Sequence, residues 1–361
     1  FICFCAQRSL SDTFPHRPGS TLNMVVVPPT FIALVCLRYK TPKTKIFMEI
    51  ILMHHGKPSF TGSIRAMLGG ALLLASVFIP MAKAQSLPLS SEHPNLQLIS
   101  VQTQGSGTDV ILIPGLASSR AIWTDLVSGL QLSHRVHILE LAGFASTPAI
   151  SNRDGKIIAP VVDAIAEYIR TQHIKAPAII GHSLGGEIAL MLGARHPDLV
   201  GRLMIVAALP FYTLMIDPAA TSETASQRAV ATRDWILAQS PEEFVAFQKT
   251  SIARLAKTEA VRPALVAAGL SSDRRTIADA VYELMITDLR PELSRIRAPI
   301  EIVYAYDALF GVPASGVDEM YRRAYTNTPD IHFTRIDDSF HFIMLDQPER
   351  FSSAVQSFLN K

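Results

Sequence analysis

From about Leu96 onward, apolar positions alternate between short runs of strand type and longer stretches of helical periodicity. That alternation predicts an α/β domain built on a mostly parallel sheet flanked by helices. LQLISVQTQGSGTDVILIPG predicts two strands joined by a Gly/Ser turn. The second of these, residues 110–114, is almost entirely apolar, as expected of a strand covered on both faces. Residues 136–141, 178–180, 203–207, Ile300–Tyr306 and 332–336 predict further strands, and residues 161–172 and 349–359 read as amphipathic helices. One interval breaks the rhythm. Residues 210–295 carry helical periodicity with no convincing strand, which predicts a helical insertion capping the C-terminal ends of the strands, where sheets of this kind build their pockets.

The first 84 residues look different. They hold all three cysteines (Cys3, Cys5, Cys36) and nine of the 33 Lys/Arg against two acids, a balance of 9 − 2 = +7. The rest of the chain has 24 bases and 29 acids, giving −5. The overall charge of +2 therefore belongs to the leader, and the body lacks the clustered basic surface that nucleic-acid binding needs. Within the leader, Lys57 and Arg65 precede an apolar stretch over 67–80 and the small-x-small sequence Ala82-Lys83-Ala84 before Gln85. This reads as a secretory signal peptide over 48–84, cleaved after Ala84. Pro80 and the shortness of the stretch argue against a permanent membrane anchor, since a span needs about 20 apolar residues. Translation is expected to begin at Met48 or Met53, with 1–47 as non-native upstream sequence and 85–361 as a secreted or periplasmic domain. A body without cysteine suits an oxidising compartment.

The most informative motif is Gly181-His182-Ser183-Leu184-Gly185, which follows the strand-like APAII and precedes the helix-like EIALMLGARH. A serine on a sharp strand-to-helix turn projects its hydroxyl above the sheet, and small neighbours let strand and helix approach. An unaided hydroxyl is a weak nucleophile, so it needs a base within reach and a third group to orient that base. The order expected for this motif is Ser, then acid, then His. Asp307 ends the strand EIVYAYD, and His341 lies in DDSFHFIMLDQPERF between the last strand and the last helix. Asp337 and Asp338 rank behind Asp307, Asp288 reads as a helix start, and His332 and His196 are less suitably placed than His341. His182 is assigned a supporting role beside the nucleophile. Donors for a developing oxyanion are expected from the backbone N–H of Leu184 and of Leu116, the latter in the loop Ile113-Pro114-Gly115-Leu116-Ala117.

These segments together resemble the α/β-hydrolase superfamily, in its cap-bearing, single-domain serine esterase-like branch. The resemblance covers nearly all of 96–359 and rests on LIPGLASS, LELAGFASTP, GHSLGG, RIRAPIEIVYAYD and FHFIMLDQPERF in the family's order. It implies Ser183, Asp307 and His341 as a catalytic triad. The chain departs from many relatives at Pro114-Gly115, at Glu140-Leu141-Ala142-Gly143 and at Phe340, and the spacing after Asp307 is loose.

The expected function is hydrolysis of a carboxylic ester or related acyl bond through an acyl-serine intermediate, with no cofactor. The expected partner is a small-molecule ester or acyl substrate; Phe211, Tyr212, Trp235, Phe244 and Phe247 in the insertion suggest an apolar acyl or aromatic one, although such spacing also suits core residues. The same triad serves lactones, thioesters, amides and peptides. A ligand-binding protein on the hydrolase fold is the alternative from another class. No HExxH or paired Cys/His spacing suggests a metal.

Overall fold

The computed structural model describes residues 94–150 and 155–361. The expected signal peptide and upstream segment lie outside the described residues. Seven strands form one sheet: β1 (Ile99–Gln104), β2 (Thr108–Ile113), β3 (His134–Leu141), β4 (Ala178–His182), β5 (Arg202–Val206), β6 (Ile300–Tyr306) and β7 (Ile331–Asp337). Their spatial order is β1-β3-β2-β4-β5-β6-β7, and only β1, against β3, is antiparallel. Ten α-helices accompany them among the described residues. They are α1 (Thr124–Leu130), α2 (Ile158–Thr171), α3 (Leu184–Arg195), α4 (Ser222–Ala238), α5 (Pro241–Leu255), α6 (Arg262–Leu270), α7 (Arg274–Ile286), α8 (Ala314–Ala324), α9 (Ile343–Asp346) and α10 (Pro348–Leu359). The interval between β5 and β6 holds α4 to α7 and no strand.

The continuous apolar runs have a direct structural cause: each central strand is buried on both faces. Alternate residues serve opposite cores, because side chains along a strand point to opposite sides. Ile111, Ile113, Ile179, Leu203, Ile205 and Ile302 pack with α2 and α3 on one side. Val110, Leu112, Ile180, Met204, Val206 and Val303 pack with α1 and α10 on the other. α3 is the most enclosed helix, with every residue from Leu184 to Ala194 buried. Its apolar character all round is what a helix in the centre of a layered domain requires.

Two glycines decide how β4 turns into α3. A Cβ on Gly181 would lie 2.2 Å from the Gly185 carbonyl oxygen, and one on Gly185 would lie 2.4 Å from the Ile113 oxygen. The chain can therefore reverse tightly against β2 only without side chains at these positions. Replacing either glycine by alanine is expected to lower stability by about 1–3 kcal/mol through overpacking. Urea denaturation measures this, and an unshifted midpoint in both variants would refute the account of the turn.

Candidate active site

Ser183 stands where β4 ends and α3 begins, at φ 54° and ψ −119°. Such a left-handed backbone costs a non-glycine residue about 1–3 kcal/mol and persists only where its surroundings impose it. They do so here. The Ser183 N–H donates to the Val206 oxygen on β5 at 2.8 Å, while its carbonyl accepts from Gly186 and Glu187 in the first turn of α3. The side chain is thereby held above the C-terminal edge of the sheet, in a cavity of about 120 Å³ whose walls also include Leu116, His341 and residues of α5 and α7.

The loop after β2 crosses directly over this turn. A Cβ on Gly115 would come within 3.1 Å of Ser183 Cβ and 3.0 Å of His182 Nδ1, so the backbone approaches the serine as closely as glycine permits. Ala117 adopts φ 52°, and the Ser118 N–H closes the turn on the Gly115 oxygen. Among the described residues, neither the Leu116 nor the Leu184 N–H donates a hydrogen bond. Two free donors thus stand beside the serine. Arg120 fixes the far end of the loop: its Nη2 meets Glu140 Oε2 at 2.7 Å, its backbone N–H meets Glu140 Oε1, and its guanidinium reaches Ser100 and Gln102 on β1. Glu140, a departure in the sequence from many relatives, is the anchor of this loop.

His341 is carried by a segment tethered at four successive points. Ser339 N–H donates to the Tyr306 oxygen at the end of β6, Phe340 N–H to Asp346 Oδ2, and Phe342 N–H to the Leu255 oxygen at the end of α5. The His341 carbonyl accepts from His182 Nε2 at 3.1 Å. Asp346 also accepts from the N–H groups of Lys257 and Thr258, so one carboxylate joins the histidine segment to the helical insertion.

Ser183, His341 and Leu116 line the same cavity, and Leu184 adjoins it. Asp307 is placed differently. It is 4% exposed at the end of β6; its Oδ1 accepts from Leu309 N–H at 2.8 Å and its Oδ2 meets Lys257 Nζ at 2.7 Å. No hydrogen bond joins Asp307 to the His341 ring, or that ring to Ser183 Oγ. The second-ranked acids are engaged elsewhere: Asp337 with Arg335, and exposed Asp338 at 3.8 Å from Lys257. Asp288 pairs with Arg290 at the turn after α7.

Electrostatics favour neutral imidazoles here. Burial lowers His182 to about 4, and since its Nε2 donates to a carbonyl, Nδ1 is left as a buried acceptor without a partner. Burial, reinforced by the neighbouring His182 ring 4.7 Å away, holds His341 well below the usual histidine value. At Asp307 burial works against ionisation, but the Lys257 ammonium and the Leu309 N–H prevail and lower its value.

Lys257, Arg120 and Glu187 were not singled out in the sequence. Glu187 lies one turn beyond Ser183, 1% exposed, with neither carboxyl oxygen bonded. Burial, together with nearby Glu283, raises it well above the ordinary carboxylate range and keeps it protonated. Its neighbours in GGEIAL gave no sign that it faces inward. No group of three or more His, Cys, Asp or Glu suited to a metal occurs among the described residues.

A family model described as alpha/beta hydrolase fold matches residues 109–280. A pimeloyl-[acyl-carrier protein] methyl ester esterase from Aromatoleum aromaticum is 29% identical over 259 residues, covering 67% of this chain and 94% of the relative. One from Chromobacterium violaceum is 27% identical over 263 residues, covering 72% and 97%. Among solved structures, an esterase from Exiguobacterium antarcticum superposes with a TM-score of 0.60 at 18% identity, covering 73% of this chain and 96% of its own. An enol-lactonase from Burkholderia xenovorans LB400 gives 0.58 at 18% identity, with coverage of 73% and 96%. With its parallel sheet, the sharp turn that carries Ser183 and this matched segment, the chain has the α/β-hydrolase fold.

Proposed function

We propose that this protein hydrolyses carboxylic esters through an acyl-serine intermediate, with Ser183 as nucleophile, His341 as general base and acid, and Asp307 as the supporting carboxylate. The observation that carries this reading is the convergence of a strained serine, a neutral histidine and two unoccupied backbone donors on one cavity. His341 takes the Ser183 proton as Oγ attacks the ester carbonyl, and the N–H groups of Leu116 and Leu184 receive the growing oxyanion. The C–O bond then breaks and His341 returns the proton to the departing alcohol. A water, deprotonated by His341, cleaves the acyl-enzyme and frees the acid.

Asp307 accepts two hydrogen bonds out of the roughly four an ionised carboxylate can take, so it retains room for an imidazole N–H. Catalytic hydrogen bonds commonly tighten only once substrate is present. The pimeloyl-[acyl-carrier protein] methyl ester esterases support the reaction class. The cavity's largely apolar lining, with Ile236, Phe247, Leu265 and Leu284 facing it, supports an apolar acyl group. Export is part of the same proposal: it rests on the leader's charged, apolar and small-residue order, and mass spectrometry of the mature protein should find Gln85 at the N-terminus.

Ser183→Ala is expected to lower ester turnover by about 10⁶-fold and to abolish labelling by a fluorophosphonate, with folding intact by circular dichroism. Undiminished turnover would reject the nucleophile, and failure of the native protein to label would favour a binding protein instead.

Because His341 titrates below the usual histidine value, its neutral, basic form persists as pH falls. The acidic limb of kcat/KM should therefore lie below pH 6.5. A limb centred at neutral pH is incompatible with the partly buried base described.

Asp307 has a lowered value, so its pairing with Lys257 stabilises the fold above the unfolded carboxylate value of 3.8 and loses that effect as pH falls through the lowered one. Lys257→Met should cost about 1 kcal/mol at pH 7, less than a fully buried pair because Lys257 is 39% exposed. The deficit should vanish in acid. Asp307→Asn should reduce kcat by about 10⁴-fold; an Asn variant with full activity would remove Asp307 from the triad.

A further inference from the structure

His341 borders a second cavity as well as the one it shares with Ser183. This space, of about 360 Å³, lies between the ends of β5 and β6 and the first turns of α8, with Met215, Phe310, Val312, Val317 and Met320 in its walls. It touches neither Ser183 nor the loop that carries Leu116. Among the described residues its titratable wall groups are His341 and Tyr321, the latter buried and stacked on Tyr304 at 4.3 Å. Its wall residue Val312 is 48% exposed, and Leu309 and Ile216, next in sequence to the wall residues Phe310 and Met215, are 78% and 38% exposed.

The position of this cavity relative to the reacting groups assigns it a role. In the reaction proposed above, on which this inference rests, the carbonyl carbon bonds to Ser183 and its oxygen faces Leu116 and Leu184. The acyl group therefore belongs in the first cavity. The departing oxygen must lie within hydrogen-bond reach of His341, which gives it a proton as the C–O bond breaks. A space that meets His341 but not the serine lies on the leaving side. We propose that this second cavity binds the alcohol half of the substrate, and that the physiological ester carries a bulky apolar alcohol, aromatic or branched, in place of a methyl group. Among the described residues its walls carry no Asp, Glu, Lys or Arg to recognise a polar alcohol, and at about 360 Å³ it is far larger than a methyl group. A methyl group would leave nearly all of that apolar surface in contact with water, whereas a benzyl-sized group covers it.

Gly316 provides a clean test. It lines the cavity in the first turn of α8, has an ordinary negative φ, and a Cβ built there meets no heavy atom within 4 Å. Met320 lines the same cavity one helical turn further on. The methyl and benzyl esters of hexanoic acid share an acyl group and release alcohols of similar acidity, so their kcat/KM ratio reads occupancy of the leaving side. The native protein should favour the benzyl ester at least tenfold, and Gly316→Leu and Met320→Trp should each bring the ratio at least tenfold toward the methyl ester. Fluorophosphonate labelling checks that both variants are folded with a reactive serine. A benzyl-to-methyl ratio that neither filling moves by more than threefold overturns the assignment of the cavity, while ester turnover itself still upholds the hydrolase reading. Absence of turnover on every ester overturns the hydrolase reading, and this assignment with it.

Discussion

The site depends on one steric constraint: β4, α3 and the loop after β2 meet at a distance only glycine allows. Gly181 and Gly185 remove the side chains that would separate strand from helix, and Gly115 removes the one that would lift the loop off the serine. With the three segments pressed together, Ser183 has no ordinary backbone conformation available and takes φ 54°. The Leu184 and Leu116 N–H groups both belong to the compressed segments, and neither donates a hydrogen bond among the described residues. The cost of the strained residue is met by the surrounding apolar core, in which α3 is enclosed from Leu184 to Ala194.

His341 is positioned by a different kind of restraint. It sits on no helix or strand, and four backbone groups around it are bonded in turn to β6, to Asp346, to the end of α5 and to His182. Backbone tethers of this sort locate a side chain's origin while leaving its χ angles free. That matters for a residue that, in the proposed reaction, faces a serine at one moment and a departing alcohol at the next. The neutral state of both imidazoles follows from the same enclosure, since burial without a bonded carboxylate disfavours the charged form.

Much of this was legible in the sequence because it is local. Strands buried on both faces announce themselves as unbroken apolar runs, and β2, β4, β5 and β6 appear within a residue or two of where those runs lie. The elbow is a contiguous motif, and the segment matched by the family model includes it. What escaped is what joins distant segments. Lys257 is one basic residue in a helical stretch until α5 ends beside β6, some fifty positions later in the chain, and brings its ammonium to Asp307. Glu140 looked like a departure from the family pattern, yet with Arg120 it holds the loop after β2. Glu187 could not be recognised as buried from its neighbours, because a helix apolar on every face gives no periodicity to read.

Asp307 is where these two levels meet. A carboxylate buried at the end of a strand must be compensated, or it takes up a proton and ceases to stabilise an imidazolium. In the arrangement described, compensation comes from the helical insertion through Lys257 and from the Leu309 N–H, with His341 still unprotonated. In the proposed reaction His341 takes the serine proton, and its imidazolium is a second cation for this carboxylate to balance. Asp307 can then share its remaining lone pairs with the imidazolium while Lys257, 39% exposed, returns toward water at little cost. In the proposed reaction the lysine thus keeps the acid ionised before the proton moves, and it comes from the same helical insertion that walls the cavity beside Ser183.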